Sequence, residues 1–166
     1  MAKKTSIKSV VEMKKTKICF AASSGGHFEQ ISMLRPLMSK YESFVVTEHT
    51  EYKATIKDEK MYYVHQVNRK EMSFPFWMVV NALKSIIIFL REKPDVVITT
   101  GVLAMIPLCL IAKLFGKKLI YIESFAKVSS PTETGRFLYK FADRFYVQWK
   151  PMLQFYPKAI YLGGIY

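Results

Sequence analysis

The first residues able to do chemistry form a short turn, Ser23-Ser24-Gly25-Gly26, which His27 follows. A continuous apolar run, residues 18–22, precedes this turn, and apolar residues with helical spacing follow it from Phe28 onward. A strand, a glycine-rich turn and a helix in that order direct unpaired backbone N–H groups into one space, where a phosphate can bind. The spacing is neither G-x-G-x-x-G nor a P-loop, so neither dinucleotide nor P-loop chemistry follows. A phosphate-binding turn and a merely tight βα turn both fit these residues.

His27 stands where the predicted helix begins, directly after the paired glycines. A histidine there is a candidate phosphate ligand or general base, and the competing interpretation is a histidine bonded to the local backbone. The sequence offers no Ser-His-Asp order, no paired carboxylates and no metal-ligand spacing. We therefore predict no metal site and no cofactor, and His27 is the single catalytic candidate.

Other candidate binding residues follow apolar runs or precede a predicted helix. Thr99-Thr100-Gly101 and Glu123-Ser124-Phe125 each come directly after a predicted strand, and a hydroxyl-rich loop precedes the helix predicted over residues 135–142. This loop can cradle phosphates, or one of its hydroxyls can serve only as the helix N-cap. Together with Ser24, Gly25, Gly26 and His27, the predicted acceptor- and phosphate-binding residues are Thr100, Gly101, Glu123, Ser124, Lys127, Ser130, Thr134 and Gly135.

Strands and helices alternate along the chain, and the strands are continuous apolar runs. Strands are predicted over residues 18–22, 43–47, 61–67, 95–99, 118–122, 145–148 and 159–162, with helices over 74–90, 102–115, 135–142 and 151–156 and a loop with one helical turn over 48–60. Such a pattern indicates a mostly parallel sheet with helices on both faces, whose ligands bind beyond the carboxyl ends of the strands. The sequence therefore predicts an α/β fold, with a basic tail over residues 1–16 and one Rossmann-like domain over residues 17–166.

Charge restricts the partners of this chain. Its 25 Lys and Arg residues against 13 Asp and Glu residues give a net charge of +12, which implies an anionic partner. No RNP-like, homeodomain-like or zinc-finger pattern is present, so we predict no nucleic-acid partner. Both cysteines, Cys19 and Cys109, lie inside apolar runs and are expected to be reduced core residues.

Residues 74–90 form an unusually apolar segment, interrupted by Asn81, Lys84 and Ser85. A spanning helix needs about 20 apolar residues, and a central lysine costs roughly 3 kcal/mol, so a membrane span is not expected. A helix lying in the membrane interface and a deeply buried crossover helix both fit this composition. The interfacial interpretation predicts membrane contact through Phe74, Phe76, Trp77 and Lys84.

Several motifs in this order resemble the Alg14 family, which includes bacterial PssD and similar proteins of capsule and exopolysaccharide biosynthesis. They are SSGGH at residues 23–27, ESFAK at 123–127 and TG at 134–135, within the stretches KICFAASSGGHFEQ, PDVVITTG, KLIYIES, GRFLYKFADRFYVQW and YLGGIY. The resemblance covers residues 14–166. It implies the amino-terminal half of a GT-B glycosyltransferase, similar to the same half of the peptidoglycan transferase MurG.

The resemblance also implies partners and a location. In this family most of the UDP-sugar site lies on a separate Alg13-like or PssE-like chain, which shares the UDP-sugar with the present half. The present half would bind a polyprenyl-diphosphate-linked acceptor at the cytoplasmic face of the cell membrane, as a peripheral or monotopic protein. Gly25, Gly26 and His27 would face the acceptor diphosphate or the reaction centre, Glu123 and Ser124 would line the cleft, and the loop of residues 129–135 would flank it.

Two features depart from the eukaryotic members of that family. Their amino-terminal membrane helix is not evident here, so attachment would come from residues 74–90 or from the partner. Lys127 stands where an arginine is expected, which argues against a bidentate phosphate contact there. Two other hypotheses remain open from the residues: a stand-alone Rossmann-type nucleotide-binding enzyme and a basic nucleic-acid-binding domain.

Overall fold

The computed structural model describes residues 15–51 and 54–166, so the predicted basic tail lies almost wholly outside the described residues. Seven parallel strands form one sheet in the order β3-β2-β1-β4-β5-β6-β7. The strands are β1 Lys17–Ala21, β2 Glu42–His49, β3 Lys60–His65, β4 Val96–Thr99, β5 Lys118–Ile122, β6 Arg144–Val147 and β7 Ile160–Tyr161. The predicted Rossmann-like α/β fold is confirmed, with all seven strands in the predicted places.

Helices connect most of these strands. They are α1 Gly26–Ser32, α2 Arg35–Met38, α3 Phe74–Glu92, α4 Ile106–Leu114 and α5 Glu133–Leu138, with short 3₁₀ helices at Leu103–Met105 and Lys150–Gln154. Pro107 lies in the first turn of α4, where its missing N–H costs no helical hydrogen bond. The prediction of a helical turn within residues 48–60 is wrong for the part of that segment that the structure describes, which contains no helix. There β2 continues to His49, and a hydrogen-bonded turn from Glu59 N–H to the Ile56 carbonyl leads into β3.

Two apolar layers cover the sheet unequally. On one side, which we call the α3 face, the strands pack against α3, α4 and α5 through a continuous core that includes Phe44, Val97, Leu108, Leu119, Leu138 and Phe145. On the other side, the α1 face, Phe28, Ile31 and Met38 of α1 and α2 cover Phe20 and Val45 near the centre of the sheet. Cys19 and Cys109 are free and fully buried, as predicted, and burial raises the pKa of Cys109 to about 12.

Helix α3 buries several polar residues and exposes a row of apolar ones, although Ile88 and Phe89 pack in the core. Asn81, Ser85 and Glu92 are buried against the fold, whereas Leu83 and Ile87 are 58% and 66% exposed. Phe76, Val79, Ile86 and Leu90 extend the same exposed apolar side. This helix is therefore neither a deeply buried crossover helix nor an ordinary amphipathic one.

The inward polar residues of α3 have specific partners. The Asn81 side chain accepts a hydrogen bond from the His65 N–H and donates one to the His65 carbonyl, both at 2.8 Å, at the end of edge strand β3. Glu92 pairs with Lys17 at 2.9 Å and Lys60 at 2.6 Å and accepts a hydrogen bond from the Tyr62 hydroxyl. Burial raises the pKa of Glu92, but these donors outweigh it and lower the pKa to about 2. Polar contacts thus determine which side of α3 faces the sheet.

Among the residues that the structure describes, α3 is the one helix long and apolar enough to cross a membrane. Only 22% of its 18-residue apolar stretch is buried. Its polar contacts with β1 and β3 hold it along the sheet, so crossing a bilayer would require it to leave the fold.

Replacing Asn81 by alanine should lower the free energy of unfolding by about 1–3 kcal/mol, because two buried backbone groups of His65 lose their partners. Urea denaturation monitored by circular dichroism measures this change. The matched control is Leu83→Ala, an exposed apolar position on the same helix, which should change stability by no more than about 0.5 kcal/mol. Equal effects of the two substitutions would contradict the assigned role of Asn81.

Candidate functional site

The carboxyl ends of β1, β4 and β5 bring three of the predicted turns to one edge of the sheet. The Thr100 hydroxyl donates to the His27 carbonyl at 3.2 Å, and the Thr100 N–H donates to the Ala21 carbonyl at 3.4 Å. The Phe125 N–H donates to the Gln30 side-chain oxygen at 3.0 Å. The glycine turn therefore contacts the β4 turn on one side, and helix α1 contacts the β5 turn on the other.

The glycine turn is open to solvent. Gly25 has a φ of +76°, a backbone conformation that favours glycine, and nothing lies within 4 Å of a Cβ built at Gly25 or Gly26. The N–H groups of Gly26 and His27, the first two of α1, have no partner in the described chain, whereas those of Phe28 and Glu29 bond the Gly25 carbonyl. Two backbone donors thus point from an unobstructed turn.

A surface cavity of about 600 Å³ lies against this turn. Its walls are mostly small or polar, and they come from the turn, from α1 and from the chain after β2. The lining residues are Ser24, Gly25, Phe28, Glu29, Thr50, Ala54 and Thr55. The hydroxyl groups of this cavity, next to the unpaired N–H groups of the adjoining turn, suit a ligand that carries phosphate and hydroxyl oxygens.

His27 is held through its backbone, because its carbonyl accepts a hydrogen bond from the Thr100 hydroxyl at 3.2 Å. The ring Nδ1 is buried without a hydrogen-bond partner among the described residues. Burial lowers the pKa of His27, and the nearby Thr100 backbone and Glu123 carboxylate only partly offset this effect. The imidazole is therefore neutral at pH 7, the form that a general base requires.

Glu123 is almost fully buried and holds the loop that precedes α5. One carboxylate oxygen accepts from the Ser124 N–H at 2.9 Å, and the other accepts from the Tyr156 hydroxyl at 2.7 Å. Thr132 donates to the carboxylate from its hydroxyl, at 2.9 Å, and from its N–H, at 3.3 Å. The structure thus gives Glu123 a positioning role, in place of the exposed cleft contact expected from sequence.

Gly101 and Gly135 are required for close packing behind the edge. A Cβ at Gly101, where φ is +79°, would lie 1.9 Å from the Tyr121 hydroxyl. A Cβ at Gly135 would lie 2.3 Å from a Glu123 carboxylate oxygen and 2.6 Å from the Tyr156 hydroxyl. These two predicted ligand-binding glycines fill structural positions, unlike Gly25 and Gly26.

The remaining predicted residues differ in exposure. Ser124 and Thr134 are buried, Ser130 is exposed, and Lys127 is half-buried beside a turn in which its N–H donates to the Ser124 carbonyl at 2.9 Å. The hydroxyl that caps α5 belongs to Thr132, which accepts from the Gly135 N–H at 2.8 Å. The structure therefore does not join Ser130 or Thr134 to the glycine turn by any hydrogen bond among the residues it describes.

Two buried glutamines, Gln30 and Gln148, were not predicted as site residues. Their side chains bond each other at 2.7 Å although they are 118 positions apart in sequence. At Gln30 the sequence did offer a signal, because a polar residue stands at an inward-facing helical position one turn after the glycines. Nothing local marks Gln148, which directly follows an apolar strand.

The family model for "Oligosaccharide biosynthesis protein Alg14 like" matches residues 18–165. This chain belongs to the Alg14 family. It is 33% identical over 140 residues to the UDP-N-acetylglucosamine transferase subunit ALG14 of Rattus norvegicus, covering 77% of this chain and 60% of that protein. It is 30% identical over 177 residues to the human protein of the same name, covering 89% of this chain and 82% of that protein.

Solved structures agree in fold. MurG of Acinetobacter baumannii aligns over 80% of this chain and 41% of its own, with a TM-score of 0.66 and 18% identity. UDP-GlcNAc 2-epimerase of Neisseria meningitidis, solved bound to UDP-GlcNAc, aligns over 90% and 47%, with a TM-score of 0.68 and 12% identity. This member of the Alg14 family thus spans less than half of either enzyme and shares the fold of one part.

His27 should titrate below pH 6.5 in the folded protein because burial opposes its charge. Since its folded pKa is lowered, the stability that neutral His27 contributes is present above its unfolded pKa of about 6.5 and is lost as pH falls below that value. NMR titration of the imidazole resonances, assigned with His27→Gln, measures the midpoint. A midpoint at or above 6.5 would contradict the neutral imidazole.

Proposed function

We propose that this chain is the acceptor-binding subunit of a UDP-sugar glycosyltransferase that extends a polyprenyl-diphosphate-linked glycan in oligosaccharide or polysaccharide biosynthesis. The observation that carries the proposal is the family match over residues 18–165, which includes the open glycine turn with its two unpaired N–H donors. The named relatives are transferase subunits for UDP-N-acetylglucosamine, which makes UDP-GlcNAc the first donor to test.

In the proposed complex, the acceptor diphosphate binds at the glycine turn. The N–H groups of Gly26 and His27 donate to its oxygens, and the bare Cα atoms of Gly25 and Gly26 allow close approach. The acceptor hydroxyl attacks the anomeric carbon of the donor sugar, UDP departs, and the configuration inverts. His27 is the candidate base for the hydroxyl proton, and the donor-binding chain stabilises the departing UDP.

We propose that α3 lies in the interface of the cytoplasmic membrane leaflet. Its exposed apolar side chains, Val79, Leu83, Ile86, Ile87 and Leu90, enter the acyl region. Lys84 and Arg91 line a surface cleft with Ile87 beside β3, where they can reach anionic headgroups. Of the aromatic residues first expected there, Phe76 is 63% exposed, while Trp77 is half-buried with its ring 4.2 Å from that of His65.

An Alg13-like or PssE-like donor-binding chain is proposed to dock near the last residues. On the α1 face, an apolar groove of about 330 Å³ lies along β4, β5 and β6, lined by Leu37, Ile120 and Tyr146 among others. Leu162, which is 80% exposed, also lines this groove, and Tyr166, which is 61% exposed, follows the lining residue Ile165. Exposed apolar surface beside a groove is suited to a protein partner.

Gly26→Ala tests the proposed acceptor site. The added methyl meets nothing within 4 Å, and alanine favours a helix over glycine by up to about 1 kcal/mol, so stability should stay equal or rise. If a diphosphate approaches this turn, the methyl should raise the acceptor KM at least tenfold. The assay follows transfer from labelled UDP-GlcNAc to a polyprenyl-diphosphate acceptor in membranes containing this chain and its donor-binding partner.

Controls distinguish this proposal from its rivals. Ala126→Gly, at an exposed position on the same edge, should leave the acceptor KM unchanged. An unchanged acceptor KM for Gly26→Ala would remove the glycine turn from the site. Robust transfer by this chain alone, or its tight binding of UDP or NAD, would favour a stand-alone nucleotide-binding enzyme. Strongly salt-dependent binding to generic DNA would favour a nucleic-acid-binding domain.

Combined Leu83→Ser and Ile87→Ser substitution should reduce co-flotation with phosphatidylglycerol vesicles at least tenfold, because two exposed apolar side chains leave the acyl region. The fold should persist, since neither side chain contributes to the core. Leu162→Ser, which removes a still more exposed leucine outside α3, is the control and should not alter flotation. Unchanged flotation of the double variant would remove α3 as the membrane face.

A further inference from the structure

We propose that Gln30 and Gln148 are positioning residues whose buried amides couple the carboxyl-terminal segment, residues 162–166, to the glycine turn. The inference deepens the proposed function, on which it rests for its effect on catalysis. Gln30 lies in α1, directly after the glycine turn, and Gln148 directly follows β6. Their side chains therefore join two parts of the candidate site that are far apart in the chain.

Gln148 makes three hydrogen bonds, using both N–H groups and one of the two lone pairs of its oxygen. Its Nε2 donates to Gln30 Oε1 at 2.7 Å and to the Glu123 carbonyl at 2.9 Å, and its Oε1 accepts from the Ile165 N–H at 3.1 Å. The residue is 3% exposed, so lost partners would not be replaced readily by water. Rotating this amide would place its oxygen against two other oxygens, so one orientation is fixed.

Gln30 continues the chain of amides to the glycine turn. Its Oε1 accepts from Gln148 and from the Phe125 N–H at 3.0 Å, and its Nε2 donates to the Gly26 carbonyl at 3.2 Å. This residue is also 3% exposed. A continuous path of hydrogen bonds, buried at its centre and part-buried at both ends, therefore runs from the Ile165 N–H to Gly26, whose own N–H faces the proposed diphosphate.

The carboxyl-terminal segment is held by close but few contacts. The Tyr166 ring lies edge-on to Phe125 with centroids 4.9 Å apart, and a Cβ at Gly164 would lie 3.1 Å from the Phe125 ring. Leu162 and Tyr166 remain largely exposed. A segment with few buried contacts detaches from the fold at a low cost in free energy. A partner that binds residues 162–166 can therefore change how often the Ile165 N–H bonds the Gln148 side-chain oxygen.

Neutral amides suit this role because the coupling carries no charge. An apolar pair would fill the same volume without fixing a direction, whereas each amide here accepts donors on one side and donates on the other. Holding the Ile165 N–H in place favours the Gln148 orientation that supports Gln30, and Gln30 in turn holds Gly26. By reciprocity, disturbing Gln30 must also loosen the carboxyl-terminal segment.

Amide hydrogen exchange of the full chain tests the coupling without any ligand. Ile165→Pro removes the N–H donor, and Ile165→Ala keeps it and serves as the matched control. With Ile165→Pro, the Phe125 and Phe28 amides should exchange at least threefold faster than in the control. In the opposite direction, Gln30→Met should speed exchange at Ile165 at least threefold relative to Gln66→Met, an exposed glutamine.

Exchange rates at Phe28 and Ile165 that stay within twofold of the controls would overturn the proposal. If Gln30→Met fails to fold, Ile165→Pro still provides the test.

In the reconstituted transferase, Ile165→Pro should raise the acceptor KM at least fivefold over Ile165→Ala while kcat stays within twofold. A fall in kcat alone would contradict positioning at the glycine turn. Coupled exchange without any transferase activity would leave the glutamine coupling standing and remove the proposed function.

Discussion

The candidate site exists because seven strands run in the same direction. Parallel pairing places every carboxyl end at one edge, so residues 73 and 95 positions apart in sequence bond each other there. Thr100 and Gln30 then fix the turns to each other through hydrogen bonds with His27 and Phe125. The sheet brings the turns after β1, β4 and β5 close together, and these few polar contacts fix the relative positions of their backbone groups.

Within that edge, the glycines divide into two kinds. Gly101 and Gly135 leave room for Tyr121 and for Glu123 with Tyr156, so they serve the interior of the fold. Gly25 and Gly26 face empty space, and although the positive φ of Gly25 favours glycine there, neither a contact nor the backbone conformation requires it at Gly26. Open glycines next to free N–H groups and a neutral histidine are the features that a phosphate-bearing ligand can use.

The sequence predicted the strands, their order along the chain and the shared edge, because hydrophobic runs and glycine turns are local signals. It also predicted that His27 begins a helix, and it offered the hydroxyls of residues 129–134 as caps for α5, of which Thr132 is the one that caps it. At Glu123 the sequence left a ligand contact and a local cap open, and it could not show the bond to Tyr156, which lies 33 residues away. Pairings such as Gln30 with Gln148 leave no periodic trace in sequence.

Helix α3 shows the same limit and carries a practical consequence. Its composition was evident from sequence, but the direction of each side was decided by distant partners: the His65 backbone for Asn81, and Lys17 with Lys60 for Glu92. With this row of apolar side chains exposed, the protein in plain aqueous buffer presents a surface through which copies can associate. Its apparent molecular mass should therefore depend on whether detergent or lipid is supplied. A particle size measured without either reflects association through α3 as well as the size of the single chain.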